Sequence, residues 1–168
     1  AGVWGAVSEK IGHEEVKLTR RDIEHIVGLR AVGIAGLAES GVKLVDIQEV
    51  IGTLAPLEGA RAFLDELRTI TQVVILSDTF EEFAGPLMRQ LAWPAILCHQ
   101  LEIDSEGRVA NYRLRQPDQK CSAVAAFRGL NYKVIAAGDS YNDTTMLGEA
   151  DVGFLFRAPD GVKEEFPQ

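Results

Sequence analysis

An α/β fold with a parallel sheet is predicted by three observations on this sequence. Val73–Leu76 and Val134–Ala137 are continuous apolar runs, without the polar alternation of a half-solvated strand. Strands covered on both faces of a parallel sheet read this way. Each run gives way abruptly to polar residues, Ser77-Asp78-Thr79 after the first and Gly138-Asp139-Ser140 after the second. Amphipathic helical patterns lie between the runs, as crossover connections require.

Residues 3 to 50 read as mostly helical, through Val3, Trp4, Val7, Ile23, Ile26, Val27, Ile34 and Leu37. Gly28, Gly33 and Gly36 weaken the middle of that region by about 1 kcal/mol each relative to alanine. Gly41 is a helix stop, and 44–54 reads as a short helix. Pro56 is expected to open the next helix, which runs to Leu67. After the first strand, Thr79 and Glu82 have capping-box spacing, and the helix from Glu81 to Trp93 is stopped by Pro94. Two strands, 96–103 and 109–114, flank Asp104-Ser105-Glu106-Gly107-Arg108, a hairpin turn. A helix from about Cys121 to Leu130 precedes the second apolar run; a short helix, 144–149, follows it. A last strand, 151–156, and a polar helical stretch complete the order, with no repeats or low-complexity segments.

Composition narrows the function classes. The chain has 168 residues, 46% hydrophobic and 25% charged, the balance of one globular domain with room for a small cap. A net charge of −8 argues against a broad surface for nucleic acid or anionic membrane. No apolar run reaches the roughly 18 residues of a membrane span. Cys98 and Cys121 are too few for a disulfide framework, so a reducing, cytoplasmic setting is expected. The start Ala1-Gly2-Val3-Trp4 lacks the basic and apolar regions of a signal peptide, and it lacks a methionine.

Candidate chemistry collects after the two buried strands. Gly138 permits a sharp turn, and Asp139 and Asp143, with Asn142 between them, fall in the loop that opens the next helix. In open α/β sheets ligands bind outside the carboxyl ends of the strands. Two carboxylates there suit Mg²⁺ beside a phosphate. Equally, Asp139 suits a helix cap and Asp143 a solvated first turn. Ser77 has the same strand-end context, and Lys120 stands at a helix start where a lysine is usually solvated. A hydroxyl, an ammonium and metal-binding carboxylates together are what phosphoryl transfer needs. His13 and His25 have no partners at metal-ligand spacing and read as surface or packing residues, and His99, within the 96–103 strand, reads as a packed or edge-strand residue rather than a catalytic one.

Four stretches carry a resemblance to a known family. They are Val74-Ile75-Leu76-Ser77-Asp78-Thr79-Phe80, Pro86-Leu87-Met88-Arg89-Gln90-Leu91, Leu101-Glu102-Ile103-Asp104 and the run from Val134 to Leu147. The chain resembles the haloacid dehalogenase-like phosphatases, among them phosphoserine phosphatases, and most closely those that also act as homoserine phosphotransferases. The resemblance implies a Rossmann-like parallel sheet, with residues 55–168 as its core and the helices of 1–54 as a cap. It implies Mg²⁺, a small phosphorylated metabolite as substrate, a place in serine biosynthesis and a homodimer. Ser77, with Asp78 and Thr79, would bind phosphate, and Lys120 would neutralise it and hold the nucleophile. Asp139 and Asp143 would serve the metal, and Asn142 would contact the phosphoryl group.

Departures from the family pattern set further expectations. Its nucleophile is an aspartate in a D-x-[DE]-G-x-[LTV] motif ending the first, central strand, and this chain starts just after that motif should end. No aspartate precedes Asp22, which is not in a strand-end context. The central strand is therefore expected to be missing, and the family also continues beyond Gln168. A substrate-amine glutamate would fall near Gly2, and a carboxylate-binding arginine aligns with Gly33, one turn from Arg30. Besides a phosphatase, the departures allow a non-catalytic phospho-ligand-binding relative or an incomplete gene product.

Overall fold

The structure, a computed structural model, describes Leu37 and residues 41–166. The expected helices of residues 3–36, with His13, His25, Arg30 and Gly33, lie outside the described residues. The chain folds as two compact units, Ala1–Leu114 and Arg115–Gln168.

In the first unit the described elements are α1 (Leu44–Gly52), α2 (Ala60–Leu67), β1 (Val74–Phe80), α3 (Glu81–Gln90), β2 (Ala95–Ile103) and β3 (Val109–Arg113). They form a sheet in the order β1-β2-β3, with β1 and β2 parallel and β2 and β3 antiparallel across the expected hairpin. Its main core joins Ile47 and Ile51 of α1 to Phe80, Phe83, Leu101 and Val109, with Leu37 beside them. Each such side chain contributes about 1.5–3 kcal/mol on full burial. Thus the 44–52 helix is part of the packing around β1 and α3. A smaller cluster of Ala84, Met88 and Leu91 packs Leu64 of α2 and Ile75 of β1 against the other side of α3.

Two local expectations are corrected here. The helix expected from Pro56 begins only at Ala60, because Gly59 takes a left-handed conformation (φ 79°) that turns the chain first. Thr79 does not cap α3: the N-cap is Phe80, and the Glu82 carboxylate instead accepts the Leu101 amide of β2 at 2.9 Å. Pro86 sits inside α3 and leaves the Glu82 carbonyl, four residues earlier, without its helical donor. The Gln48 side-chain amide supplies one at 2.8 Å, tying α1 to α3. A buried or half-buried carbonyl needs such a replacement.

In the second unit lie α4 (Gln119–Gly129), β4 (Ile135–Gly138), a 3₁₀ turn (Tyr141–Asp143), α5 (Thr144–Glu149), β5 (Val152–Leu155) and α6 (Asp160–Glu165). The two strands pair in parallel from Ile135↔Val152 to Gly138↔Leu155. α5 is the crossover between them, with Met146 and Leu147 buried. Arg128 closes the outer end of α4 on α5, donating to the Glu149 carbonyl and carboxylate at 2.8 and 2.9 Å. Asp151 accepts the Val134 amide at 2.9 Å and so fixes where β4 starts. Among the described residues, β1 pairs on its β2 side alone and β4 on its β5 side alone.

The crossover is tight because β5 carries a glycine beneath α5. A Cβ on Gly153 would stand 2.3 Å from the Leu147 carbonyl oxygen and 2.9 Å from its carbon, both backbone atoms. Gly153→Ala must push strand and helix apart. It is expected to destabilise the fold by about 1–3 kcal/mol, the cost of overpacking, read as a lower denaturation midpoint.

Candidate phosphate and metal site

The loop after β4 is built around one carboxylate. Asp143 is 5% exposed, and its two oxygens receive four donors. Lys120 Nζ donates to Oδ1 at 2.7 Å. The Asp139 amide (3.0 Å), the Ser140 amide (3.2 Å) and the Ser140 hydroxyl (2.9 Å) all reach Oδ2. The same hydroxyl lies 2.7 Å from Asn142 Oδ1, so its one proton is shared between the two acceptors. The Asp143 amide also donates to the Ser140 carbonyl at 3.0 Å, while the Ser140 and Asp143 side chains each accept the other's backbone amide, a capping box on the 3₁₀ turn.

This arrangement explains Gly138 and the electrostatics. A Cβ at Gly138 would lie 2.4 Å from Asp143 Cβ, so β4 must end in glycine for the carboxylate to tuck beneath it. Burial pushes the Asp143 carboxyl up, but the Lys120 bond and charge, the Asp139 amide and the Ser140 hydroxyl outweigh it and hold the group below the usual carboxylate range. Lys120 is itself buried at the start of α4, which removes the solvated reading of a lysine there.

Asp139 is different. Its backbone amide is committed to Asp143, while its side chain is exposed at the end of β4 and, among the described residues, has no hydrogen bond or ion pair. Open carboxylate lone pairs at a parallel strand's carboxyl end fit a hard cation such as Mg²⁺. Mg²⁺ characteristically takes one or two carboxylates and fills its remaining positions with water and phosphate oxygens. Among the described residues no three His, Cys, Asp or Glu side chains gather into a metal cluster, and the Asp139 carboxylate is the one this loop leaves open to a cation. The next turn is held by Tyr141, whose hydroxyl donates to Glu165 of α6 at 3.1 Å and whose ring meets Phe166 edge-on.

Ser77, Asp78 and Thr79 belong to the first unit. The sequence placed them after the strand's end, whereas β1 continues to Phe80. Its pairing passes from Leu76↔Leu97 to Phe80↔His99, so three residues of β1 stand opposite Cys98 alone. Such a bulge bends the strand and re-aims its side chains. The Ser77 hydroxyl accepts the Thr79 amide at 3.3 Å inside this bulge. His99, 1% exposed on the central strand β2, stands 3.8 Å from the Asp78 carboxylate and packs on Phe80. The packing role expected of His99 agrees with that burial.

One string was not recognised in the sequence. Asp104-Ser105-Glu106-Gly107-Arg108-Val109 satisfies the D-x-[DE]-G-x-[LTV] pattern. The structure gives it another role: it is the β2–β3 turn, with Gly107 left-handed (φ 80°). Asp104 accepts the Glu106 and Arg108 amides at 2.9 Å and the Arg108 guanidinium at 3.0 Å. The Arg108 amide and side chain, with a lesser share from the Glu106 amide, hold its carboxyl low against the opposing effect of desolvation. A carboxylate spent on its own turn is a poor nucleophile, and aspartate commonly folds back onto the amides of a turn in this way.

A parallel-strand crossover carrying an open carboxylate, beside a buried lysine, has the groups that phosphoryl transfer uses, and comparison with known proteins gives its family. The model of the haloacid dehalogenase-like hydrolases matches residues 5–151, and the chain belongs to that family. Within it, the chain is 58% identical over 166 residues to phosphoserine phosphatase ThrH of Pseudomonas aeruginosa, covering 99% of this chain and 81% of that protein. It is also 58% identical over 166 residues to a phosphoserine phosphatase of Pseudomonas syringae pv. tomato, covering 99% and 70%. A substrate-bound phosphoserine phosphatase structure shares the fold, with a TM-score of 0.83 at 17% identity over 99% of this chain and 84% of that one. The α/β class expected from the sequence is the one observed.

Proposed function

We propose that this chain forms part of a Mg²⁺-dependent phosphatase of small phosphomonoesters, with phosphoserine as substrate. The observation that carries the reading is the pair of roles in the β4 loop: Asp143 pinned by Lys120, and Asp139 left open. The 58% identity to proteins named phosphoserine phosphatases supports the choice of substrate.

In this reading Asp139 holds the metal, and Asp143 organises the loop, since four donors already occupy its oxygens. Bound Mg²⁺ would supply Lewis-acid stabilisation of charge on the transferring phosphoryl group. Lys120 carries a positive charge against the loop, held by its bond to Asp143, and that charge would neutralise a phosphoryl oxygen. The family resemblance would have Asn142 contact the phosphoryl group and Ser77, Asp78 and Thr79 bind phosphate. The nucleophile would be an aspartate of a strand-end D-x-[DE] motif; among the described residues that pattern occurs at Asp104, which is spent on its own hairpin turn. The nucleophile's carboxylate oxygen would bond to phosphorus as the seryl oxygen leaves with a proton from the second acid. Water then hydrolyses the aspartyl-phosphate; an alcohol such as homoserine in the water's place would make the reaction a transfer. The cap over residues 1–54, a homodimer and a cytoplasmic place in serine biosynthesis complete the proposal. Among the described residues no helix is long and apolar enough to cross a membrane.

The test is phosphate release by the full-length protein that contains this chain, assayed with a panel of phosphomonoesters. Release from phosphoserine that needs Mg²⁺ and stops with chelator is expected. Release from none of the panel would sink the reading; calorimetric binding of phosphoserine without turnover would favour the non-catalytic relative.

A further inference from the structure

The N-cap of α4 is strained, and its side chain serves a different helix. Asp118 has φ 41° and ψ 50°, where an N-cap residue ordinarily has extended backbone. A non-glycine residue in the left-handed region persists only where its surroundings enforce it, and such residues concentrate at functional sites. The Asp118 side chain makes no cap bond to the backbone of its own helix. Its carboxylate instead accepts the Thr145 hydroxyl of α5 at 3.1 Å. Half-buried Cys121, one turn on, has its thiol pushed up by burial and then by the Asp118 carboxylate, which places Cys121 against the same group.

The tie runs beside the buried ion pair. Asp118 and Lys120 are two residues apart at the start of α4, and Asp143 and Thr145 are two apart at the start of α5. Lys120 meets Asp143 and Asp118 meets Thr145, so two rungs join the same two helix starts, one buried and one exposed. We infer that Asp118 and Thr145 are positioning residues, an outer clamp that fixes the start of α4 so that the Lys120 ammonium stays seated against the β4 loop. The inference rests on the phosphatase reading for its consequence, because a seated Lys120 is what meets the phosphoryl group. The outer rung keeps the helix starts together when the ammonium shares its protons between Asp143 and a phosphate oxygen.

Thr145→Val removes the hydroxyl and keeps the shape, Thr145→Ser keeps the hydroxyl, and Asp118→Gly keeps the left-handed backbone without a carboxylate. In the full-length protein, Thr145→Val and Asp118→Gly should lower kcat about tenfold, a displacement effect, with KM and melting temperature little changed. The same two variants should lose the slowly exchanging ammonium signal of Lys120 in a ¹⁵N-edited spectrum, and Thr145→Ser should keep both rate and signal. A retained signal in Thr145→Val or Asp118→Gly, a Thr145→Ser that behaves like Thr145→Val, or a rate loss matched by a lower melting temperature would each overturn the clamp. If the unsubstituted protein releases no phosphate, the phosphatase reading fails, and the ammonium signal still decides the clamp.

Discussion

Lys120→Met is expected to cost about 3–5 kcal/mol of folding stability near neutral pH, the usual penalty for removing one partner of a buried ion pair. Both side chains are nearly inaccessible, at 10% and 8% exposure, so solvent cannot replace the lost ammonium. Methionine fills similar volume, which separates the loss of charge from a cavity. The pH dependence follows from the direction of the Asp143 shift. Burial raises this carboxyl, but the Lys120 bond leads the influences that bring it below its unfolded value. Its contribution is therefore fully present above the unfolded value of about 3.9 and is lost as pH falls through the lower folded value. In the variant, burial is no longer offset by lysine and the carboxyl rises, so acid protonates it and relieves the buried charge. The stability difference between parent and variant should narrow as pH falls from 7 towards 4, measured by denaturant unfolding. Equal stability at pH 7, or a difference constant across that range, would show that the pair carries no such weight. Phosphate release should fall by about 10²–10³-fold as well, the range for one charge-stabilising donor.

How far the sequence reached depends on whether its signals were local. The strand ending at Gly138 was legible because an apolar run stops at a glycine and acids follow, a pattern set by burial and turning in neighbouring residues. The start of α2 was misplaced because Pro56 is a strong helix-opening residue, and only the backbone at Gly59 shows the intervening turn. Glu82 has capping spacing after Thr79, yet β2 offers its carboxylate the Leu101 amide, a tertiary partner that spacing cannot reveal. Ser77 was recognised as a strand-end hydroxyl; that it sits in a bulge depends on the register against β2. Spacing is equally blind to the division of labour between Asp139 and Asp143. Two aspartates four apart fit a shared metal site, a cap or a pin, and the choice lies in where the donors are. The Asp104–Val109 string shows the converse: a catalytic pattern fulfilled by a hairpin turn.

Asp139→Asn supplies the sharpest contrast with Lys120→Met, because the two should separate chemistry from folding. The substitution preserves size and leaves the backbone amide that Asp143 receives at 3.0 Å. The side chain is exposed and, among the described residues, unengaged, so stability should change by no more than about 0.5 kcal/mol. An amide oxygen replaces an anionic ligand, and hard divalent cations depend on that charge. Mg²⁺ affinity measured by calorimetry should therefore fall, and Mg²⁺-dependent phosphate release from phosphoserine should drop by about 10²–10³-fold or more. Asp143→Asn reverses the order of effects, since an amide nitrogen at the Lys120 or amide-facing position opposes donor to donor and loosens the loop first. If Asp139→Asn destabilised the fold while Mg²⁺ affinity held, Asp139 would be a structural cap and the open carboxylate would have been misread. If both variants lost stability and activity in parallel, the loop would act as one folding unit with no separable metal ligand. The geometry favours separation, because the bonds that organise the loop converge on Asp143 and Ser140 and, among the described residues, none ends on the Asp139 carboxylate.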